Sequence, residues 1–258
     1  MIQEFKVQEL TVKVYKDRKE MGEAAAEIAA AIIRRLLAHK EEINIVFAAA
    51  PSQNEFLDSL KTKQGIGWDK INAFHMDEYI NLDIAAPQGF GNFLKQRIFD
   101  SLPFLSVNYL NGNAKDADLE CNRYSSLLEK HPADIVFMGI GENGHLAFND
   151  PPVADFNDQQ KVKIVELDEI CRQQQVNDGC FISLSEVPTH ALTLTIPVLV
   201  GATYICCMVP GFSKANAVKD TITQEIKEQF PATILRRQNE AILFLDAHSS
   251  SLLDNQTI

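Results

Sequence analysis

From residue 21 to residue 245, short apolar runs alternate with longer stretches whose apolar residues recur every third or fourth position. Met21, Ala25, Ile28, Ile32 and Leu36 form the first such stripe, which predicts a helix with one face packed on a sheet. Strands are expected at 43–48, 71–74, 135–138, 162–167, 192–196, 204–209 and 241–245, and further helices at 54–60, 90–99, 119–129, 171–176 and 213–223. Strand and helix taken in turn imply parallel strands joined by crossover helices. With 258 residues, no internal repeat and no low-complexity linker, the chain reads as a single α/β domain over 1–258.

A formal net charge of −11 disfavours nucleic acid and anionic lipid as partners, so a phosphate ligand would need a local basic pocket. Five cysteines, an odd number with no C-x-x-C, suit a reducing cytoplasm better than a disulfide framework. The first residues, Met1-Ile-Gln-Glu-Phe-Lys6, lack the charged-then-apolar order of a secretory signal. The uncharged run from Ala191 to Val209 is long enough to imitate a membrane span. Pro197, Gly201 and the alternation of Leu192, Leu194 and Ile196 with threonines indicate two buried strands and a connector instead.

In open α/β sheets, ligands sit where the chain leaves a strand's carboxyl end. Gly139-Ile-Gly-Glu142-Asn143-Gly144-His145-Leu-Ala-Phe-Asn-Asp150-Pro151 follows the expected strand 135–138. Its glycines match G-x-G-x-x-G, but Asn149, Pro151, Pro152 and the aspartates beyond favour turns over the helix a dinucleotide site requires. No cofactor is therefore expected. The same glycines, Gly144 included, let backbone amides approach a small ligand. His145 and Asp150 are close enough in the loop for the carboxylate to fix which ring nitrogen exchanges a proton. A surface histidine beside a turn aspartate is the competing reading. Asp77 and Glu78, leaving the strand at 71–74, add two carboxylates at the same sheet edge. Lys214 opens the helix after Val209-Pro210-Gly211, where helix N–H groups, the Ser213 hydroxyl and the ammonium would meet an anion. A solvated lysine is the alternative there. Histidines at 39, 75, 131, 145, 190 and 248 show no zinc-type spacing, so no metal is expected.

These residues resemble the glucosamine-6-phosphate deaminase (isomerase) family, whose wider superfamily includes 6-phosphogluconolactonase. His75-Met-Asp77-Glu78-Tyr79, the 139–151 loop and Gly211-Phe-Ser-Lys214-Ala occur in the family's order and at about its spacing. Pro87-Gln-Gly-Phe90 and Val187-Pro-Thr-His-Ala191-Leu-Thr193 are also similar, so the resemblance spans nearly the whole chain. It implies a Rossmann-like, mostly parallel sheet with helices on both faces. It also implies a metal-free conversion of glucosamine 6-phosphate and water to fructose 6-phosphate and ammonia. Asp77 would be the proton-transferring base, His145 the ring-opening acid/base, Asp150 its orienting carboxylate and Lys214 a phosphate ligand. The partner would be a phosphorylated amino sugar, with a homo-oligomer possible.

Three departures from the family pattern bear on substrate and mechanism. Asn143 replaces the usual acid before Gly144 and can orient but not take up a proton. Either His145 with Asp150 suffices for ring opening, or Glu142 supplies the missing carboxylate. The expected glycine-rich phosphate loop is replaced by Ala48-Ala49-Ala50-Pro51-Ser52, leaving Ser52 and the amides near Ala49 and Ala50 as anion donors. An arginine of the family is missing near Gly179, with Arg172 and Lys161 as substitutes. Lactone hydrolysis, another sugar-phosphate isomerisation, or a non-catalytic sugar-phosphate sensor are the competing functions.

Overall fold

The computed structural model describes residues 1–253, so the end of the expected 1–258 domain lies outside the described residues. The chain opens with β1 (Gln3–Val7), β2 (Leu10–Tyr15) and α1 (Arg18–Leu37), then passes through β3 (Ile43–Phe47), α2 (Asn54–Leu60) and β4 (Ile71–His75). It continues with β5 (Asp77–Tyr79), α3 (Phe90–Arg97), β6 (Ser106–Asn108), α4 (Ala117–Lys130), β7 (Ile135–Met138) and β8 (Val162–Glu166). Next come α5 (Glu169–Asn177), β9 (His190–Leu194), α6 (Ile196–Val200), β10 (Tyr204–Val209), α7 (Ala215–Thr223) and β11 (Ala241–Asp246).

Eight strands form one sheet in the order β1-β2-β11-β10-β7-β3-β4-β6, parallel except for the β1–β2 hairpin. The central strands are buried on both faces, which is why they read as continuous apolar runs. Their side chains divide by the two-residue period of a strand. Ile45, Phe47, Phe137, Cys206 and Met208 pack with α1, α2 and α3, while Val46, Val136, Met138, Cys207 and Val209 pack with α4, α6 and α7. Helices thus cover both faces, as expected. Asp17 starts α1 by accepting a hydrogen bond from the Glu20 amide at 2.9 Å, and Arg34 and Arg35 lie in its last turn, where the helix dipole favours cations.

Beside the mostly parallel large sheet stands a second sheet, β5-β9-β8, which is antiparallel. Its β5 has only three residues, too short for a period-2 pattern to register. The strand expected at 192–196 begins at His190 and ends at Leu194, because Pro197 sits in the first turn of α6, where its missing N–H costs nothing. Among the described residues, no helix is long and apolar enough to cross a membrane. All five cysteines are free thiols.

Candidate functional site

The parallel strands β2, β3, β4, β7 and β10 direct their carboxyl ends to one edge of the large sheet. A cavity of about 190 Å³ opens there, lined by Arg18, Ala49, Ala50, Ser52, Asp77, Gly139, Gly141, His145, Asp178 and Lys214, among others. The candidate acid–base residues and the candidate anion ligands therefore share one space.

β4 delivers His75, which is fully buried with both ring nitrogens occupied. Nδ1 lies 2.9 Å from the Asp77 carbonyl and Nε2 accepts from the Leu110 amide at 2.9 Å. Desolvation pulls its pKa down to about 4, so this ring is neutral and fixes the backbone before Asp77. Asp77 is buried, lines the cavity, and pairs with Thr193 across the β5–β9 ladder. Burial, followed by the nearby Glu78 charge, holds its carboxyl well above the usual range. A base raised toward neutrality is suited to exchanging protons with a weakly acidic carbon.

The 139–151 loop holds His145 from behind. Asn143 Oδ1 accepts from the His145 amide at 3.1 Å and from Nδ1 at 2.8 Å, while its Nδ2 donates to Asp150 Oδ1 at 2.9 Å. Nδ1 also lies 2.9 Å from Asp150 Oδ1. Burial raises the Asp150 pKa, but the imidazole charge and the hydrogen bonds from His145, Asn143 and Cys171 outweigh it and leave the group lowered. An ionised Asp150 holds the proton on Nδ1 and leaves Nε2 for exchange. A side chain at Gly141 would run into the imidazole ring itself, so glycine is required for the ring to lie against the backbone. Gly144 turns the loop at φ +86°, and its amide donates to the Gly141 carbonyl at 3.0 Å. Phe148 and Asn149 anchor the far side. The Phe148 amide donates to Thr193 Oγ1 at 3.1 Å, and Asn149 Nδ2 donates to the Leu146 and Leu194 carbonyls at 2.8 Å each.

Two cations also line the cavity. Lys214 is buried in the 3₁₀ turn Phe212–Lys214 that leads into α7. Desolvation lowers its pKa, while Asp178 and Glu142 act in the opposite direction. Arg18 is held by Glu55 at 2.6 and 2.9 Å and by the Pro51 carbonyl at 3.0 Å. Asp178 is raised chiefly by burial, against the pull of Lys214. The buried Gln53 Nε2 donates to Ser52 Oγ at 3.1 Å and approaches the Met138 and Met208 carbonyls, tying the Ala48–Ser52 turn to the ends of β7 and β10.

Several residues singled out from sequence stand elsewhere. Glu78 accepts from the amides of Tyr79, Phe90 and Gly91 at 2.8–3.1 Å, capping the start of α3 from outside instead of facing the cavity. Arg172 donates to the Leu184 and Val187 carbonyls at 2.7 and 2.8 Å. Lys161 lies 3.9 Å from Glu129, beside α4 and away from the cavity. The Gly144 amide is consumed within the loop, and Glu142 does not line the cavity, although its charge reaches Lys214. Conversely, Arg18, Gln174 and Asp178 line it without having been singled out. The alternation in Leu10-Thr-Val-Lys-Val-Tyr15 is the signal that finds Arg18, since it predicts a strand whose carboxyl end leads straight to that residue.

One mixed cluster has metal-ligand chemistry among the described residues: His145, Asp150 and Cys171 place their ligand atoms within 4.8 Å of one another. Sequence spacing misses it because Cys171 arrives from α5, twenty-one positions beyond Asp150.

A mostly parallel sheet with a histidine loop, a buried carboxylate and two cations at its carboxyl edge defines an α/β protein with an acid–base site able to hold an anion. Residues 16–244 match the model of the glucosamine-6-phosphate isomerases/6-phosphogluconolactonase family, and the chain belongs to that family. It is 32% identical over 243 residues to a glucosamine-6-phosphate deaminase of Bacillus cereus strain B4264, covering 94% of this chain and 89% of that one. A Bacillus cytotoxicus glucosamine-6-phosphate deaminase is 33% identical over 233 residues, covering 90% of this chain and 87% of the relative. Among solved structures, a monomeric glucosamine-6-phosphate deaminase superposes with a TM-score of 0.84 at 28% identity, covering 93% of this chain and 99% of that one. A 6-phosphogluconolactonase from Thermotoga maritima shares the fold, with a TM-score of 0.75 at 18% identity over 92% of this chain and 99% of the other.

Proposed function

We propose that this protein converts glucosamine 6-phosphate and water to fructose 6-phosphate and ammonia. The observation that carries the reading is that Asp77, His145 and Lys214 line one cavity while Asn143 and Asp150 hold the imidazole from outside it. Lys214, Arg18 and Ser52 bind the phosphate, aided by backbone near Ala49 and Ala50. His145 Nε2 accepts the proton of the anomeric hydroxyl and passes it to the ring oxygen as the sugar opens. Asp77 takes the C2 proton and returns it to C1, which one base can do only when held within reach of both carbons. Ammonia leaves C2 as water supplies the ketone oxygen. Acid–base groups suffice for each step, so the reading requires no metal and no cofactor. Asn143 keeps the His145–Asp150 geometry without being a proton donor in its own right.

Ammonia and fructose 6-phosphate production from glucosamine 6-phosphate tests this reading. Wild type turns over, and Asp77→Asn and His145→Ala each lose about two to four orders of magnitude in kcat. Lactone hydrolysis without ammonia release, or tight sugar-phosphate binding without turnover, would replace it. Asp77 acts as a base only when ionised, and its pKa is raised. The rate therefore falls with decreasing pH at values where an ordinary carboxylate is still ionised, and a pH–kcat profile reads this directly.

A further inference from the structure

Asp150 offers one oxygen to His145 and Asn143, while its other oxygen, Oδ2, is buried without a hydrogen-bond partner. Cys171, buried in α5, contributes a weak thiol contact to this carboxylate without satisfying that oxygen in geometry. With His145, the pair forms a mixed nitrogen, oxygen and sulfur set within 4.8 Å. Such a set suits a borderline-soft divalent ion, which takes imidazole, carboxylate and thiolate ligands about 2.0 to 2.3 Å away. One carboxylate and one thiolate also balance two positive charges, the condition for holding an ion in a buried place. Of the three residues, His145 also lines the cavity, so the set lies directly behind the cavity wall.

We propose that His145, Asp150 and Cys171 form an inhibitory zinc site, whose occupancy switches the acid–base loop off. The switching, though not the binding, rests on the function proposed above. Binding forms bonds to His145 Nδ1, an Asp150 oxygen and Cys171 Sγ. The thiol proton leaves to solvent, and the imidazole exchanges its Nδ1 proton for one on Nε2. An imidazole protonated at Nε2 and metallated at Nδ1 has no lone pair for proton exchange with the sugar. It also loses the 2.8 Å bond to Asn143, because Nδ1 can no longer donate.

Equilibrium dialysis of the full chain against zinc, together with cobalt(II) absorption spectra, tests the binding. Wild type is expected to hold one zinc per chain and to show a thiolate-to-cobalt charge-transfer band. Cys171→Ala loses the band and weakens zinc affinity by at least about 100-fold, whereas Cys180→Ala behaves as wild type. Cys171→Ser, closest in size, is the folded control if the alanine variant is unstable, and it also lacks the band. In the ammonia assay, zinc suppresses wild-type turnover by about tenfold or more, reversibly on chelation. Each variant is compared with its own zinc-free rate, and Cys171→Ala is no longer suppressed by zinc. Absence of bound zinc, absence of the thiolate band, or equal zinc sensitivity in wild type and Cys171→Ala overturns the proposal. Dialysis and spectra do not depend on turnover, so a wrong substrate leaves them decisive.

Discussion

Within the 139–151 loop, His145 is held by neighbours close to it in sequence, each bonded to the others. In the same cavity, Arg18, Ser52, Asp178 and Lys214 arrive from four separate parts of the chain. In the first region Asn143 bonds both His145 and Asp150, so a change at one residue disturbs all three. In the second, the charged groups interact mainly through space, and each contributes to the cavity's potential largely on its own. Under the proposed function, the loop sets a proton-transfer geometry and the second group of residues sets an affinity. Changes should divide accordingly between kcat and KM.

The largest effect that tests this division is expected for Lys214→Ala, which removes a buried cation from the proposed phosphate. KM rises by about 100-fold while kcat stays within about threefold, a loss in keeping with a charge-assisted hydrogen bond. A fall confined to kcat would erase the distinction between the two groups of residues. Asn143→Asp is next and should lower kcat by about tenfold with KM little changed. The new carboxylate replaces the amide that donates to Asp150 at 2.9 Å and sets two like charges side by side. Because one of the two then stays protonated to higher pH, the rate profile of this variant shifts upward in pH. The smallest effect belongs to Asp178→Asn, which removes a negative charge acting on Lys214 and should lower KM by about threefold. Steady-state kinetics with glucosamine 6-phosphate reads all three.

Much of the large sheet was legible because β3, β4, β7, β10 and β11 are buried on both faces and separated by helical stripes. The short and half-exposed strands were harder to see. β5 and β6 have three residues each, and β1 exposes every second side chain, so none offers a sustained apolar pattern. The His145 loop was readable because its partners are local. The candidate anion ligands were only half readable: Lys214 and Ser52 sit at turns with a physical signature, but Arg18 and Asp178 come together only through the sheet order. Glu78 misled because its chemistry suits a site, while its oxygens are used by three backbone amides of its own and a neighbouring element. Arg172 misled in the same way, its guanidinium serving backbone carbonyls of the chain beyond α5.

Thr193 links two parts of the site that sequence keeps apart. It stands opposite Asp77 in the small sheet, and its hydroxyl accepts from the Phe148 amide in the histidine loop. Asp77 and His145 are therefore mounted on a common frame, and under the proposed function their separation would work as a ruler laid against the sugar. A sugar whose acidic carbon and ring oxygen match that length would be processed, and one that presents them at another spacing would be bound by its phosphate and released unchanged.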